Sequence, residues 1–395
     1  MNILVANLGS TSFKYRLFAM DGPDERLLAE GGYERLRDHR EAISGCLRTL
    51  VNDGVIEGDD DIEAVGFKTI MGKGVSGCVA ADEGTLKALD GFREVAPAHN
   101  PAYREGIRLI RERLPKANLV ALFETAYYTW APEAWKHYAV PESWYLAGVR
   151  RYGFHGASHK YIAERSAELL HREDVLRRVR GLYVDGPGSF EGAPLRVISC
   201  HLGGSSSVTG ILNGVAVGCS LGFSPQSGLP HNNRVGDLDS MALPYAMKEL
   251  GLEVEEAQDQ LSREAGLLGL SGVSNDVREI RAAESRGDQR ASLAMQVLVH
   301  SIRHWIGAFM IELGGCDALI FTAGIGERDA SLRTDVCHGL EEFGFLLDGE
   351  KNADAVGDEM IISREGSPVR IMVIPANEEL VVARETQRFV DALNN

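Results

Sequence analysis

The chain has 395 residues, 44% of them hydrophobic and 25% charged, and a formal net charge of -16. This is the composition of a globular protein long enough for two domains with proper cores. The acidity excludes nucleic acid and anionic membranes as partners, so any anion site must be locally basic.

Six scattered cysteines with no CxxC and no metal spacing read as reduced core thiols of a cytoplasmic protein. No stretch has the length of an apolar membrane span or the pattern of a leader.

Residues 2–20, NILVANLGSTSFKYRLFAM, read as two strands, 3–6 and 13–18, around a turn. The turn carries Asn7, Gly9, Ser10, Thr11 and Ser12, with Lys14 just beyond. Residues 24–61 are acidic and read as partly helical, with a helix near 39–52. A short strand at 64–67 leads to Lys68, Thr69 and the loop Met71-Gly72-Lys73-Gly74. Residues 82–95 read as a helix. Two prolines pin the loop 96–101, which sets His99 just before a helix over 102–114. The apolar strand 119–123 ends on Glu124, a position where carboxylates meet ligands at the edge of α/β sheets.

Residues 148–161, GVRRYGFHGASHKY, place His155 and His159 among glycines and lead into a helix over 158–170. Residues 177–195 read as a surface excursion rich in glycine and proline. Next comes VISCHLGGSSSVTGILNGVAVGC, residues 197–219: strand, glycine/serine turn, strand, then a tight reversal at Asn213-Gly214. Bare amides and hydroxyls at such a turn form a concavity suited to phosphate oxygens. Taken alone, the turn reads better as an ordinary hairpin with a polar tip. The opening hairpin lies roughly 190 residues earlier and repeats it in kind. Two such turns facing one another would grip a polyphosphate from both sides.

The loop 221–239 carries Arg234 and Asp237, and long loops in compact domains are often functional. Helices follow at about 240–250, 255–265 and 288–313. They are interrupted by GLLGLSGVSNDVREI, where Ser274, Asn275, Asp276 and Arg278 cluster at a helix start. A strand at 318–322 runs into Gly324-Ile325-Gly326-Glu327. Another at 369–374 ends in Pro375-Ala376-Asn377-Glu378-Glu379 before a final helix. Alternating strands and helices, with polar clusters at strand ends, point to an α/β fold. A polyphosphate cleft calls for a divalent cation held by one or two carboxylates, and Asn7, Glu124 and Glu378 are the candidates. Each also reads singly as a helix cap or a solvated side chain. There is no Walker P-loop and no protein-kinase catalytic loop. The residues themselves describe a phosphate-handling α/β protein.

In their shared order, NLGSTSFKY, APAHNPA, FETA, RRYGFHGASHKY, CHLGGSSSV, RVGDLD, GLLGLSGVS, FTAGIGE and IPANEELVVARET resemble the acetate kinase family. That family lies within the superfamily of sugar kinases, heat-shock chaperone ATPases and actin, and the resemblance covers nearly the whole chain. It implies two actin-like domains with duplicated ribonuclease H-like cores. Residues 1–126, with a helix 381–395 returning to them, would form the first domain. Residues 127–380 would form the second, which binds nucleotide and joins a homodimer. It also implies reversible in-line transfer of the terminal phosphoryl group of ATP to acetate, with Mg²⁺ or Mn²⁺. A different small carboxylate, a pyrophosphate donor or a non-catalytic nucleotide-binding relative are the alternatives.

By motif, Arg234 would hold the carboxylate and phosphoryl oxygens, and His155 would stabilise the transition state. Lys68 would grip the substrate, and Glu124 would sit near the transferred group. Asn7 and Glu378 would flank the metal. Ser10, Ser12, Lys14, His201, Gly203 and Gly204 would line the phosphates, and Asp276, Arg278, Gly324 and Ile325 the nucleotide. Ile70, Ala98, His99, Phe154 and Pro225 would surround the acyl group. The departures from the family pattern concentrate in both pockets. Its substrate-gripping arginine stands here as Lys68 and the neighbouring histidine as Phe67. The strand-end aspartate is Glu124, a pocket leucine is Ala98, and the asparagine after the hairpin glycine is Gly204. In the nucleotide loop a glycine and an asparagine are Ala323 and Arg328. Lysine keeps the charge of arginine but loses its fork for a carboxylate.

Overall fold

A computed structural model describes residues 1–394 apart from 22, 23, 37 and 98. Twelve strands form two six-stranded sheets. The first holds β1 (Asn2–Gly9), β2 (Ser12–Asp21), β3 (Asp24–Glu34), β4 (Ala64–Thr69), β5 (Cys78–Ala80) and β6 (Asn118–Phe123), in the order β3-β2-β1-β4-β6-β5. The second holds β7 (Arg196–Leu202), β8 (Ser206–Leu212), β9 (Val215–Cys219), β10 (Ala318–Thr322), β11 (Met360–Ile361) and β12 (Arg370–Val373), in the order β11-β12-β10-β7-β8-β9.

The two sheets share one plan. Each begins as a three-stranded antiparallel meander whose first strand pairs in parallel with a later one. A second parallel strand follows, with an antiparallel strand on the outer edge. The repeat legible in two hairpins thus extends to whole sheets, which is the duplicated actin-like arrangement. Buried apolar side chains explain the parallel strands. All five residues of β10 are buried, and so are the last four of β6, as expected of strands covered on both faces.

Three expectations need correction. The helix expected near 39–52 is there, His39–Asn52, but residues 24–34, read only as part of an acidic stretch, form β3, paired with β2 along its length. As an edge strand it buries none of its side chains fully, so its sequence carries no continuous apolar run. Residues 177–185 belong to helix Glu173–Asp185, which buries Val175, Leu176, Val179 and Leu182 and stops at Gly186, φ 73°. Only the residues after it form the excursion. The stretch GLLGLSGVSNDVREI is two short helices, Gly266–Ser271 and Val277–Ser285, the second capped by Asp276.

The last helix, Glu378–Asn394, returns to the first sheet and buries Val381, Val382, Ala383 and Val390 in its core. At about 1.5–3 kcal/mol per fully buried aliphatic side chain, these residues anchor it there. The parallel strands of both sheets end at one cleft. Asn7, Lys68 and Glu124 come from the ends of β1, β4 and β6, and His201, Gly324 and Glu378 from those of β7, β10 and β12. Among the described residues no helix is long and apolar enough to cross a membrane.

Candidate active site

Lys68 hydrogen-bonds Glu378 and lies 3.3 Å from Glu124 Oε1, all three side chains being nearly buried. Burial opposes the ammonium charge, but the two carboxylates outweigh it and hold Lys68 well above its ordinary value. One ammonium cannot neutralise two acids. Glu378 takes the hydrogen bond and is held down by Lys68 and His201 despite burial, whereas burial pushes Glu124 up to about 7. Glu124 is fixed by its backbone, because its carbonyl accepts from the Gly156 amide at 2.9 Å. A Cβ at residue 156 would lie 2.3 Å from that oxygen, so only glycine allows helix Gly156–Leu169 to start there.

His155 precedes that helix in the left-handed region, φ 58°, a strained conformation for a residue with a Cβ. Its ring stacks on His201, centroids 4.1 Å apart. Its Nδ1 lies 2.8 Å from Ser207 Oγ, which also meets His159 Nε2 at 2.8 Å. His159 Nδ1 reaches Ser199 Oγ at 2.8 Å, and His201 Nδ1 reaches Ser158 Oγ at 2.8 Å. Burial holds these rings neutral near pH 7. His155 and His159 fall well below their ordinary value, His201 falls to about 4 and His231 to about 3.

Arg234 donates to the Pro225 carbonyl at 2.7 Å, and no carboxylate pairs with it among the described residues. Burial lowers its affinity for the proton. His99 is lowered by burial and then by the charges of Arg234 and Lys68, which places it beside both. Tyr103 donates to Asn7 Oδ1 at 3.1 Å, and its phenol feels Lys68, Glu124 and Glu378. Phe154 is buried, and half-buried Ile70 packs against the cluster that contains it. Ala98 lies outside the described residues.

The turn between β7 and β8 opens onto a cavity of about 820 Å³ lined by Gly203, Gly204, Asn232, Asp276, Arg278, Gly324, Ile325 and Arg328. Asp276 accepts from the Arg278 amide at 2.9 Å and pairs with its guanidinium at 2.6 Å. Ala323 adopts φ 63°, where the family's glycine would be unstrained. Ser10, Ser12 and Lys14 do not line this cavity. Lys14 pairs with Glu34 at 3.4 Å and lines, with Asn7 and Glu379, a separate cavity of about 440 Å³.

No three His, Cys, Asp or Glu side chains among the described residues form a metal cage. Glu124 Oε2 is nonetheless buried without a hydrogen-bond partner, and two carboxylates share one lysine. That donor set fits a hard cation such as Mg²⁺, which needs only one or two carboxylates and completes its shell with water and substrate phosphates.

The acetokinase family profile matches residues 33–180 and 188–384. An acetate kinase of Shouchella clausii is 37% identical over 412 residues, covering 98% of this chain and 99% of its own. The chain belongs to the acetokinase family. An acetate kinase of Thermoanaerobacterium thermosaccharolyticum is 36% identical over 420 residues and covers 100% of both chains. The crystal structure of Porphyromonas gingivalis acetate kinase superposes with a TM-score of 0.87 at 32% identity, over 98% of this chain and 99% of that one. A propionate kinase from Francisella tularensis gives 0.84 at 30% identity, with the same coverage.

Within this acetokinase, two departures sit together. Lysine is shorter than arginine and glutamate longer than aspartate, so Lys68 and Glu124 still meet at 3.3 Å. Three participants escaped the sequence reading. Ser207 is the last of three serines in the turn, Tyr103 lies in the helix after His99, and Asn232 is two residues from Arg234. Only Asn232 carried a signal, its place in a loop already marked by Arg234.

Proposed function

We propose that this protein is an ATP-dependent acetate kinase, transferring the terminal phosphoryl group of ATP to acetate and releasing acetyl phosphate and ADP, reversibly. The observation that carries the reading is Arg234: a largely desolvated guanidinium with no acidic partner among the described residues, in a chain of net charge -16. Such a group is completed by an anion from outside.

An acetate oxygen attacks the terminal phosphorus while the bridge to the β-phosphate breaks in line and the leaving oxygen stays with ADP. Arg234 and Lys68 orient the carboxylate and offset its repulsion from the phosphate. His155 donates to the phosphoryl oxygens. Being neutral, it has one ring hydrogen, and donation from Nε2 requires Nδ1 to accept from Ser207. The Ser207 oxygen then accepts from His159 Nε2, and His159 Nδ1 accepts from Ser199. One tautomer chain thereby supports the catalytic ring. Asn7, Glu124 and Glu378 would hold Mg²⁺ (or Mn²⁺), which when bound neutralises phosphate charge. Gly203, Gly204 and His201 would receive the phosphates, with Ser10, Ser12 and Lys14 across the cleft. Asp276, Arg278, Gly324 and Ile325 would border the nucleoside. Ile70, His99, Phe154 and Pro225 would surround the methyl group.

The cavity beyond the turn has room for a nucleoside, which pyrophosphate would leave empty, and this favours ATP as donor. Propionate is the second substrate reading, supported by the likeness to a propionate kinase. The same reading takes residues 1–126 with 381–395 and residues 127–380 as the domains of a cytoplasmic homodimer joined through the second, and its six free thiols agree with that compartment. Hydroxamate trapping over acetate, propionate, butyrate and substituted acids, with ATP and pyrophosphate as donors, tests the proposal. Acetate with ATP is expected to give the highest kcat/KM. No acyl phosphate from any pair would reject a kinase.

A further inference from the structure

The turn between β7 and β8 has no side chain at Gly203 or Gly204, where the resemblance implies an asparagine at the second. Of its four amides, Gly203 N donates to Ser206 Oγ at 3.2 Å and Ser206 N to His231 Nδ1 at 3.0 Å. Those of Gly204 and Ser205 have no acceptor among the described residues. Ser205 Oγ is buried without a partner.

Asn232 faces this turn from the loop that carries Arg234. Its backbone amide donates to the Gly204 carbonyl at 3.2 Å, and His231 before it accepts from Ser206, so two hydrogen bonds pin the loop to the turn just ahead of its side chain. A Cβ on Gly204 would lie 3.4 Å from Asn232 Nδ2. Asn232 Oδ1 is buried and unpartnered, and the residue lines the 820 Å³ cavity with Gly203 and Gly204. Asn232 Nδ2 has no acceptor among the described residues, so its two hydrogens are free for a ligand in the cavity.

We propose that Asn232 grips the nucleotide polyphosphate, supplying from the neighbouring loop the side-chain amide that Gly204 lacks. Its Nδ2 donates to a phosphoryl oxygen beside the free amides of Gly204 and Ser205. The inference rests on the nucleotide reading of the cavity.

Calorimetric titration with ADP plus Mg²⁺, and separately with adenosine, tests it on the intact protein. Asn232→Ala is expected to weaken ADP binding by about tenfold or more, the worth of one hydrogen bond to a charged group, and to leave adenosine binding unchanged. Asn232→Asp keeps the shape but repels phosphate, and should lose more. The exchange Gly204→Asn with Asn232→Gly should recover most of what Asn232→Gly loses alone. Unaltered ADP affinity in Asn232→Ala, an equal loss for adenosine, or an exchange no better than Asn232→Gly would overturn the proposal. Wild-type protein that binds ADP yet forms no acyl phosphate sinks the kinase reading and spares this one. Wild-type protein that turns over while its ADP affinity ignores residue 232 does the reverse.

Discussion

Where the resemblance implies an arginine and an aspartate, this chain has Lys68 and Glu124, and the two differences offset one another. The shorter cation meets the longer carboxylate at 3.3 Å in a site that leaves Glu124 only 5% exposed. Arginine at 68 beside an unchanged Glu124 would have to find room in close packing, and aspartate at 124 beside an unchanged lysine would lose the contact. The changes should therefore couple. Lys68→Arg and Glu124→Asp are each expected to lower kcat/KM for acetate by about tenfold, and the double variant to equal or exceed the wild type, because arginine regains the bidentate hold on a carboxylate. Hydroxamate kinetics on all four proteins check this, and a double variant as poor as the product of its singles would contradict it. This pairing was not legible in the sequence. Motifs gave Lys68, Glu124 and Glu378 as separate strand-end candidates, but that one ammonium serves both acids depends on three strand ends meeting. Ser207 was hidden for the same reason, since nothing in a run of three serines tells which one two histidines will share.

Strand ends were the legible part of the fold because parallel strands buried on both faces write themselves as apolar runs, as in 318–322 and 119–123. Edge strand β3 lacks that pattern, and helix Glu173–Asp185 was masked by the glycines and prolines after it. The return of the last helix to the first sheet is a tertiary fact with one local sign, Gly66 in β4. A Cβ there would lie 2.4 Å from Thr386 Oγ1 and 2.7 Å from Val382 Cγ1. Glycine at 66 sets how closely the helix approaches, and that helix begins with Glu378. Gly66→Ala should overpack this contact and cost about 1–3 kcal/mol. It should also displace Glu378 and raise the Mg²⁺ concentration needed for half-maximal rate. Adding Val382→Ala removes the nearer carbon and should restore part of the stability. Urea midpoints read the first effect and metal titrations the second; a Gly66→Ala protein with an unchanged midpoint would show that the helix is not held by this contact.

Across the whole molecule, a buried ionic cluster ties helix Gly156–Leu169 to the last helix and to β3. Lys160, fully buried in helix Gly156–Leu169, reaches Glu164 at 2.5 Å and Glu385 of the last helix at 2.7 Å. Arg384 ties Glu164 at 2.7 Å and Glu25 of β3 at 2.6 Å, and Arg388 adds a contact to Glu385. Burial alone would raise the Glu164 carboxyl, but Lys160, Arg388 and Arg384 outweigh it and bring the group from 4.5 down to about 2. A folded-state value below the unfolded one means that this group's stabilisation is complete above about pH 4.5 and is lost as pH falls toward 2. A lowering of that size corresponds to a few kcal/mol, about 3, for a group 1% exposed. Glu164→Gln should therefore be less stable at pH 7 by several kcal/mol, up to the roughly 3–5 of a fully broken buried pair, because Lys160 keeps only Glu385 and Arg384 only Glu25 as counter-charge. Its stability should also fall less steeply than the wild type's between pH 4.5 and 3.5, since the residue that takes up a proton on unfolding is gone. Denaturant midpoints at steps of half a pH unit separate the two effects. A Glu164→Gln curve that runs parallel to the wild type through the acid range would mean that the acid sensitivity resides elsewhere and that this network holds the two helices and β3 together without titrating.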